Sequence, residues 1–213
     1  MKQFAGLWYP DADELTKNFK ARAQTEPFYR ADRFHDAMKH VKQWRGAVEC
    51  GAHVGEWSRE LATRFERVVA IEMNPASAEC LRANLPAHPN VIVVNHAVGA
   101  HGGQVQISGK KNSMGNMVAG DGEDVWLDRL DDLTAVKETA AIDYLNVHVN
   151  GYELEVLLGA KETIAKHCPV TTVVIKRALA DYGATPEDIF KFMDRVGYRV
   201  ASCLKPYWVF VPA

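Results

Sequence analysis

Residues 46–98 read "GAVECGAHVGEWSRELATRFERVVAIEMNPASAECLRANLPAHPNVIVVNHAV", and the fold turns on how that stretch alternates. A short apolar run, "AVEC", enters a turn bracketed by Gly51 and Gly55, and "EWSRELATRF" follows as a helix. "RVVAIE" is a second strand. "NPASAECLRANL" is a second helix, with Asn74 at its N-cap and Pro75 at its first position. "NVIVVNHAV" is a third strand. Five elements in the order β-α-β-α-β within about fifty residues predict a parallel, doubly wound α/β sheet.

Downstream the cadence pauses. Residues 101–124, "HGGQVQISGKKNSMGNMVAGDGED", are rich in Gly, Asn and Ser; "QVQIS" reads as a short strand and the rest as a long loop of the kind that forms lids. Lys110-Lys111 is either a solvated tip or part of such a lid. Alternation resumes with the strand "IDYLNVHV", a helix from about Tyr152 to Lys166 and the strand "VTTVVIK". A helix follows at 186–196, with Thr185 as its N-cap. Two final strands, "YRVAS" and "YWVFVP", join through Lys205-Pro206 as an antiparallel hairpin at the sheet edge. Upstream, residues 11–44 look helical: Phe34, Ala37, Met38, Val41 and Trp44 fall on one face at spacings of three and four.

Length and composition fit one sizeable α/β domain: 213 residues, 47% hydrophobic and 24% charged. A net charge of −2 and no long run of like charges speak against a broad nucleic-acid-binding surface. The cysteines, Cys50, Cys80, Cys168 and Cys203, make no CxxC pair, so free thiols in a reducing compartment are expected. The N-terminus reaches acidic residues too early for a signal peptide, and no apolar run is long enough to span a bilayer; a cytoplasmic location is the expectation.

The strand tips carry the chemistry. The G-x-x-x-G of "ECGAHVGEW" is neither a dinucleotide fingerprint nor a P-loop. Glu49 stands two residues before Gly51; it would repel pyrophosphate and attract a cation such as the amino group of a methionine tail. Glu72 ends the second strand, where an acid can accept bonds from both ribose hydroxyls. Asn95 or His96 ends the third, where either would border an adenine ring. Together these features suit S-adenosylmethionine. The candidate cofactor-binding set is Glu49, Gly51, His53, Gly55, Glu72, Met73, Asn95 and His96. Glu49, His53, His96 and His148 lack the local spacing of metal ligands, and no metal is expected.

"NVHVN", residues 146–150, is the second point of interest. Val147 and Val149 should pack on one face of a strand, with Asn146, His148 and Asn150 on the other. His148 near the strand's carboxyl end is either the general base for a hydroxyl acceptor or a hydrogen-bonded structural histidine. Asn146 and Asn150 would orient a substrate or His148, with helix capping as the alternative for Asn150. Trp57 reads as packing, Glu153 as a first-turn acid, and Lys176 as a group that either meets an acidic substrate or reaches to water.

Several segments taken together resemble the FkbM family of S-adenosylmethionine-dependent methyltransferases: "ECGAHVGEWSRELA", "AIEMNPASAECLRANL", "NVIVVNHAVG", "VWLDRLDDL", "IDYLNVHVNGYELEVLLGA" and the closing "VGY". The resemblance implies a mostly parallel seven-stranded Rossmann-like sheet with its last strand antiparallel, methylation of hydroxyl oxygens on sugars or small molecules, and a cofactor held by Glu49, Gly51 and Glu72. It divides the chain into an N-terminal helical cover, 1–45, and a methyltransferase unit, 46–213. The departures lie in the catalytic half. The family pattern Lys-Ile-Asp-Val-Glu-Gly is here Asn146-Val147-His148-Val149-Asn150-Gly151; Glu49 replaces an Asp, and Lys176-Arg177 stand where an acid is common. These departures motivate a rival reading, a catalytically inactive cofactor-binding protein with a regulatory or assembly role. Methylation of a protein or nucleobase is a third possibility.

Overall fold

The computed structural model describes residues 1–13, 25–107, 117–118 and 123–213. In chain order the strands are β1 (Lys2–Phe4), β2 (Leu7–Tyr9), β3 (Gly46–Cys50), β4 (Arg67–Ile71), β5 (Val91–Val94), β6 (Ala97–Val98), β7 (Gly103–Ile107), β8 (Met117–Val118), β9 (Glu123–Asp128), β10 (Tyr144–Val147), β11 (Val170–Val174), β12 (Tyr198–Leu204) and β13 (Tyr207–Pro212). The central sheet has seven strands in the order β12-β13-β11-β10-β3-β4-β5. Strands β11, β10, β3, β4 and β5 pair in parallel, whereas β13 runs antiparallel between β11 and β12. The doubly wound expectation holds, and the antiparallel strand lies second from the edge.

The sheet divides the apolar core in two. On one face Val48, Val69, Leu145, Val147 and Val173 pack beneath the helices Glu153–Leu158, Lys161–His167 and Pro186–Arg195. On the other, Ala47, Val68, Tyr144 and Val174 pack beneath Phe34, Trp57 and Leu61 of the helices Ala31–Met38 and Glu56–Ala62. Trp57 is buried, in line with the packing role. The N-caps read at Asn74 and Thr185 both form; Thr185 and Asp188 complete a capping box.

Four local readings are corrected. The N-terminal cover does not begin with helix: β1 and β2 form a hairpin, clamped by Asn84, which accepts from Trp8 N at 2.7 Å and donates to Trp8 O at 2.9 Å. Residues 14–24 of the expected helical region lie outside the described residues, as does most of the 109–124 loop with Lys110-Lys111. "NVIVVNHAV" is not one strand: β5 joins the central sheet and β6 joins a second, four-stranded sheet of order β6-β9-β7-β8. The helix from Tyr152 breaks at Gly159, where a Cβ would lie 1.9 Å from the Gly99 carbonyl oxygen. The helix after the break is capped from outside, because the Asp131 carboxylate accepts from Glu162 N at 3.0 Å and Thr163 N at 2.8 Å. Finally, Asn150 is not the N-cap; it sits in the left-handed region at φ 61, and Tyr152 occupies the cap position. The freed amides there are met by Glu153, which accepts from Gly151 N at 2.9 Å and Val149 N at 3.3 Å.

Candidate active site at the strand tips

Parallel register brings a polar row together across three strands. Asn146 on β10 pairs with Glu49 on β3 and with Thr172 on β11, all on one face of the sheet. Glu49 is 3% exposed and Asn146 1%. The Ser58 hydroxyl, one turn into the following helix, donates to Glu49 Oε2 at 2.6 Å, and the Asn146 side chain hydrogen-bonds the same carboxyl group. Burial above all, with the nearby charge of Glu72, pushes the Glu49 carboxyl up to about 8. Asn146 Oδ1 is buried and meets no donor. A buried acceptor beside an acid that resists ionisation is a place that can take up an ammonium group.

At the tip of β4, Glu72 accepts from His53 N at Oε2 and from Asn74 N at Oε1, both at 2.8 Å. Two lone pairs remain on this carboxylate, one per oxygen, for a vicinal diol. Burial raises its pKa, against the pull of His53 and the two backbone amides. His53 extends the turn in a left-handed conformation, φ 51, and its Nε2 lies 3.3 Å from Asp13 Oδ2. Burial alone would lower the His53 pKa; the Asp13 hydrogen bond and the charges of Glu72, Asp13 and Glu56 outweigh it and raise it. Gly51 is required by the chain's own crossing: at φ 85, a Cβ there would sit 2.0 Å from the His148 carbonyl oxygen. Gly55 likewise gives room to Leu81, with its Cδ1 at 2.5 Å from a built Cβ.

At the third tip the structure separates the two candidates. The Asn95 amide is committed to the backbone, donating to Glu72 O at 2.8 Å and Met73 O at 3.0 Å, so it fixes the bend that carries Glu72. Met73 packs against the second sheet. His96 faces Asp128 at the end of β9, its Nδ1 bonded to Asp128 Oδ2. Asp128, Ser58 and Asp13 were not singled out by sequence; each comes from a segment whose approach is set by tertiary packing.

His148 faces Lys176, across the carboxyl ends of adjacent strands, with Lys176 Nζ 2.8 Å from His148 Nε2. Burial first, then the positive charges of Lys176, His53 and Arg30, depress the His148 pKa to about 3. The imidazole is therefore neutral at pH 7 and accepts from the lysine. Burial also lowers the Lys176 pKa. Tyr207 flanks the pair, its ring 5.7 Å from that of His148 in an edge-on contact. Asn150 lies beyond the strand end, three residues before the helix. A cavity of about 180 Å³ opens beside the site rather than over it, lined by Tyr9, Phe28, Tyr29 and Glu56 but by none of the strand-tip residues.

The fold is the Rossmann-like one seen in methyltransferases. The structure is similar to a methyltransferase FkbM from Methylobacillus flagellatus KT (TM-score 0.59, 18% identity, 81% of this chain and 45% of that one). It is also similar to precorrin 8W decarboxylase from Methanobacterium thermoautotrophicum (0.54, 16%, 97% and 100%). A third is precorrin-6y C5,15-methyltransferase from Geobacter metallireducens GS-15 (0.52, 16%, 87% and 94%). At these identities the likeness is one of fold, and the chain spans less than half of the FkbM structure's length. No curated protein matches the sequence. The methyltransferase FkbM domain model matches residues 49–200, and the chain belongs to the FkbM family of methyltransferases. No helix among the described residues is long and apolar enough to cross a membrane.

Proposed function

We propose that the protein transfers the methyl group of S-adenosylmethionine to a hydroxyl oxygen of a small molecule or glycan. The observation that carries this reading is the unpaired, buried Asn146 Oδ1 beside Glu49. These two acceptors would hold the cofactor's ammonium, whose charge would let Glu49 ionise. Glu72 would accept from the ribose hydroxyls, and the His96–Asp128 pair would border the adenine. When bound, S-adenosylmethionine supplies a methyl group on a positively charged sulfur, which the acceptor oxygen displaces in line.

The residues at the far end of the row would align the hydroxyl and take its proton. His148 is a poor base by itself, because protonating it means placing a second cation against Lys176. Lys176 in its amine form is the better acceptor, with His148 fixing where its nitrogen points. We place the protein in a reducing, cytoplasmic setting, in which thiols such as the exposed Cys168 stay free. The rival reading, a cofactor-binding protein without catalysis, draws on the same Lys176–His148 contact, which closes the histidine's lone pair to substrate.

Calorimetric titration with S-adenosylmethionine and S-adenosylhomocysteine tests the pocket; Glu72→Ala should weaken both about tenfold or more. Undiminished binding in that variant would remove the cofactor assignment. A methyl-transfer screen over pH then separates the two readings. Activity should rise with pH to a midpoint below the ordinary lysine value of 10.5, and Lys176→Met should abolish it. No transfer to any hydroxyl compound by a protein that binds the cofactor favours the rival.

A further inference from the structure

The segment leading into the helix Ala31–Met38 brings two arginines to the transfer end of the sheet. The Tyr29 and Tyr207 side chains hydrogen-bond each other, and Tyr207 is the residue whose ring meets His148. Tyr29 is pinned to the core as well, its carbonyl accepting from Trp57 Nε1 at 2.8 Å. Arg30 follows in the left-handed region at φ 57, its guanidinium 5.5 Å from the centroid of the Tyr29 ring. Arg33 stands one helical turn further on. In both arginines Nε–H is buried and meets no acceptor. Arg33 keeps one Nη on Asp32, whereas no described carboxylate lies within ion-pair distance of Arg30.

Unpaired, buried guanidinium donors are costly, and two of them in one place call for a ligand. Positive charge gathers there, countered in part by Asp32 and Glu26, which act on Arg33. Lys176, His53 and Arg30 act on His148, and Arg30 and Arg33 act on Tyr207. The nearby acids hold other donors: Glu153 the amides of Val149 and Gly151, Glu26 Arg30's own backbone N–H at 2.9 Å, Glu56 the Tyr29 N–H at 2.8 Å, and Asp32 one Nη of Arg33. The Nε–Nη edge of a guanidinium matches two oxygens of one anion. A neutral polyol can accept from that edge but brings no charge to offset the guanidinium.

We propose that Arg30 and Arg33 form an oxyanion subsite, and that the methyl acceptor is a hydroxyl compound carrying a carboxylate, phosphate or sulfate group. This rests on the methyl-transfer reading. The anionic group seats on the arginines, and the hydroxyl reaches Lys176. Tyr207, its pKa pushed well above the usual phenol value by burial, stays protonated between the two.

The test is calorimetric titration of the protein with benzoate, inorganic phosphate and inorganic sulfate, with benzyl alcohol as the neutral control, each with and without S-adenosylhomocysteine. At least one anion should bind about tenfold or more tightly than benzyl alcohol, and which one identifies the anionic group. Arg30→Gln and Arg33→Gln should each weaken that anion about tenfold while S-adenosylhomocysteine binding stays within about twofold, and Arg30→Lys should recover part of the loss. If Arg30→Gln does not fold, Arg33→Gln and Arg30→Lys carry the comparison. No preference for any anion, or equal anion affinity in the arginine variants, overturns the subsite. Anion binding as expected without S-adenosylhomocysteine binding leaves the subsite standing and removes the methyl-transfer reading instead.

Discussion

At the scale of single residues, the tips of β3 and β4 were legible and their partners were not. Glu49 and Glu72 are the last polar side chains before turns, and an acid that closes an apolar strand stands out in the sequence. What each acid touches is a different matter. Ser58 reaches Glu49 from the next helix, and the Glu72 oxygens are half-filled by backbone amides. The polar alternation of "NVHVN" holds in part: Val147 and Val149 pack in the same apolar cluster and Asn146 joins Glu49 on the opposite face, but the strand ends at Val147 and Asn150 turns away in the left-handed region. The role of His148 was less accessible, because the ammonium that faces it lies on another strand. The pair makes a clear prediction. In an NMR titration, His148 should stay neutral well below the ordinary histidine range, towards a pKa of about 3. Lys176→Met should raise that pKa without restoring 6.5, since burial, the larger cause, persists. A wild-type His148 that titrates near 6.5 would mean that neither the burial nor the contact exists in solution.

At the scale of elements, local signals were sufficient where the cap is local. Asn74-Pro75 and Thr185-Pro186 start their helices as written. They failed where the stop or start comes from elsewhere. Nothing in "GYELEVLLGAKETIAKH" requires two helices, since Gly159 alone only weakens a helix. The break is imposed by the Gly99 backbone and compensated by Asp131, a residue some thirty positions upstream whose carboxylate caps the second helix. Asp131 is therefore expected to matter far more than a surface acid. Asp131→Ala orphans two amide donors, one of them buried, and should cost about 2–4 kcal/mol in urea unfolding. Faster amide exchange at Glu162 and Thr163 should accompany it. A loss below about 0.5 kcal/mol, within the range of an ordinary surface substitution, would show that the cap contributes nothing.

At the scale of the molecule, the parallel sheet followed from the alternation of elements, whereas the second sheet and the N-terminal hairpin did not. Both are built from short strands, and short strands are specified by the partners they find. The assembled sheet buries several ionisable groups whose pKa values move in opposite senses, and this gives the whole chain a testable stability profile. Glu49, Glu72 and Glu153 all bind their protons more tightly in the folded chain than in the unfolded one. Their contribution is complete below the carboxylate value of 4.5 and declines as pH rises through the folded values. For Glu49, raised from 4.5 to about 8, the loss is about 5 kcal/mol when the range has been crossed. His148 works the other way: it is held neutral, so stability declines as pH falls from 6.5 towards about 3. Between pH 4.5 and 6.5 the Glu49 and His148 trends cancel and Glu72 and Glu153 tilt the balance downwards, so the cofactor-free protein should be most stable near pH 4.5 and should melt at lower temperature at pH 8.5. Glu49→Gln removes its acid contribution, and its amide can still bond Ser58 and Asn146. Its melting temperature should exceed that of the wild type at pH 8.5 and converge with it towards pH 5. S-Adenosylhomocysteine carries the ammonium that Glu49 is proposed to face, so it should stabilise the wild type more at pH 8.5 than at pH 5.5, and Glu49→Gln should lose that difference. Thermal melts over this range decide the matter: a wild-type curve that is flat or rises between pH 6 and 8.5 would show that Glu49 ionises freely in the folded protein, and the ammonium site assigned to it would fall with that result.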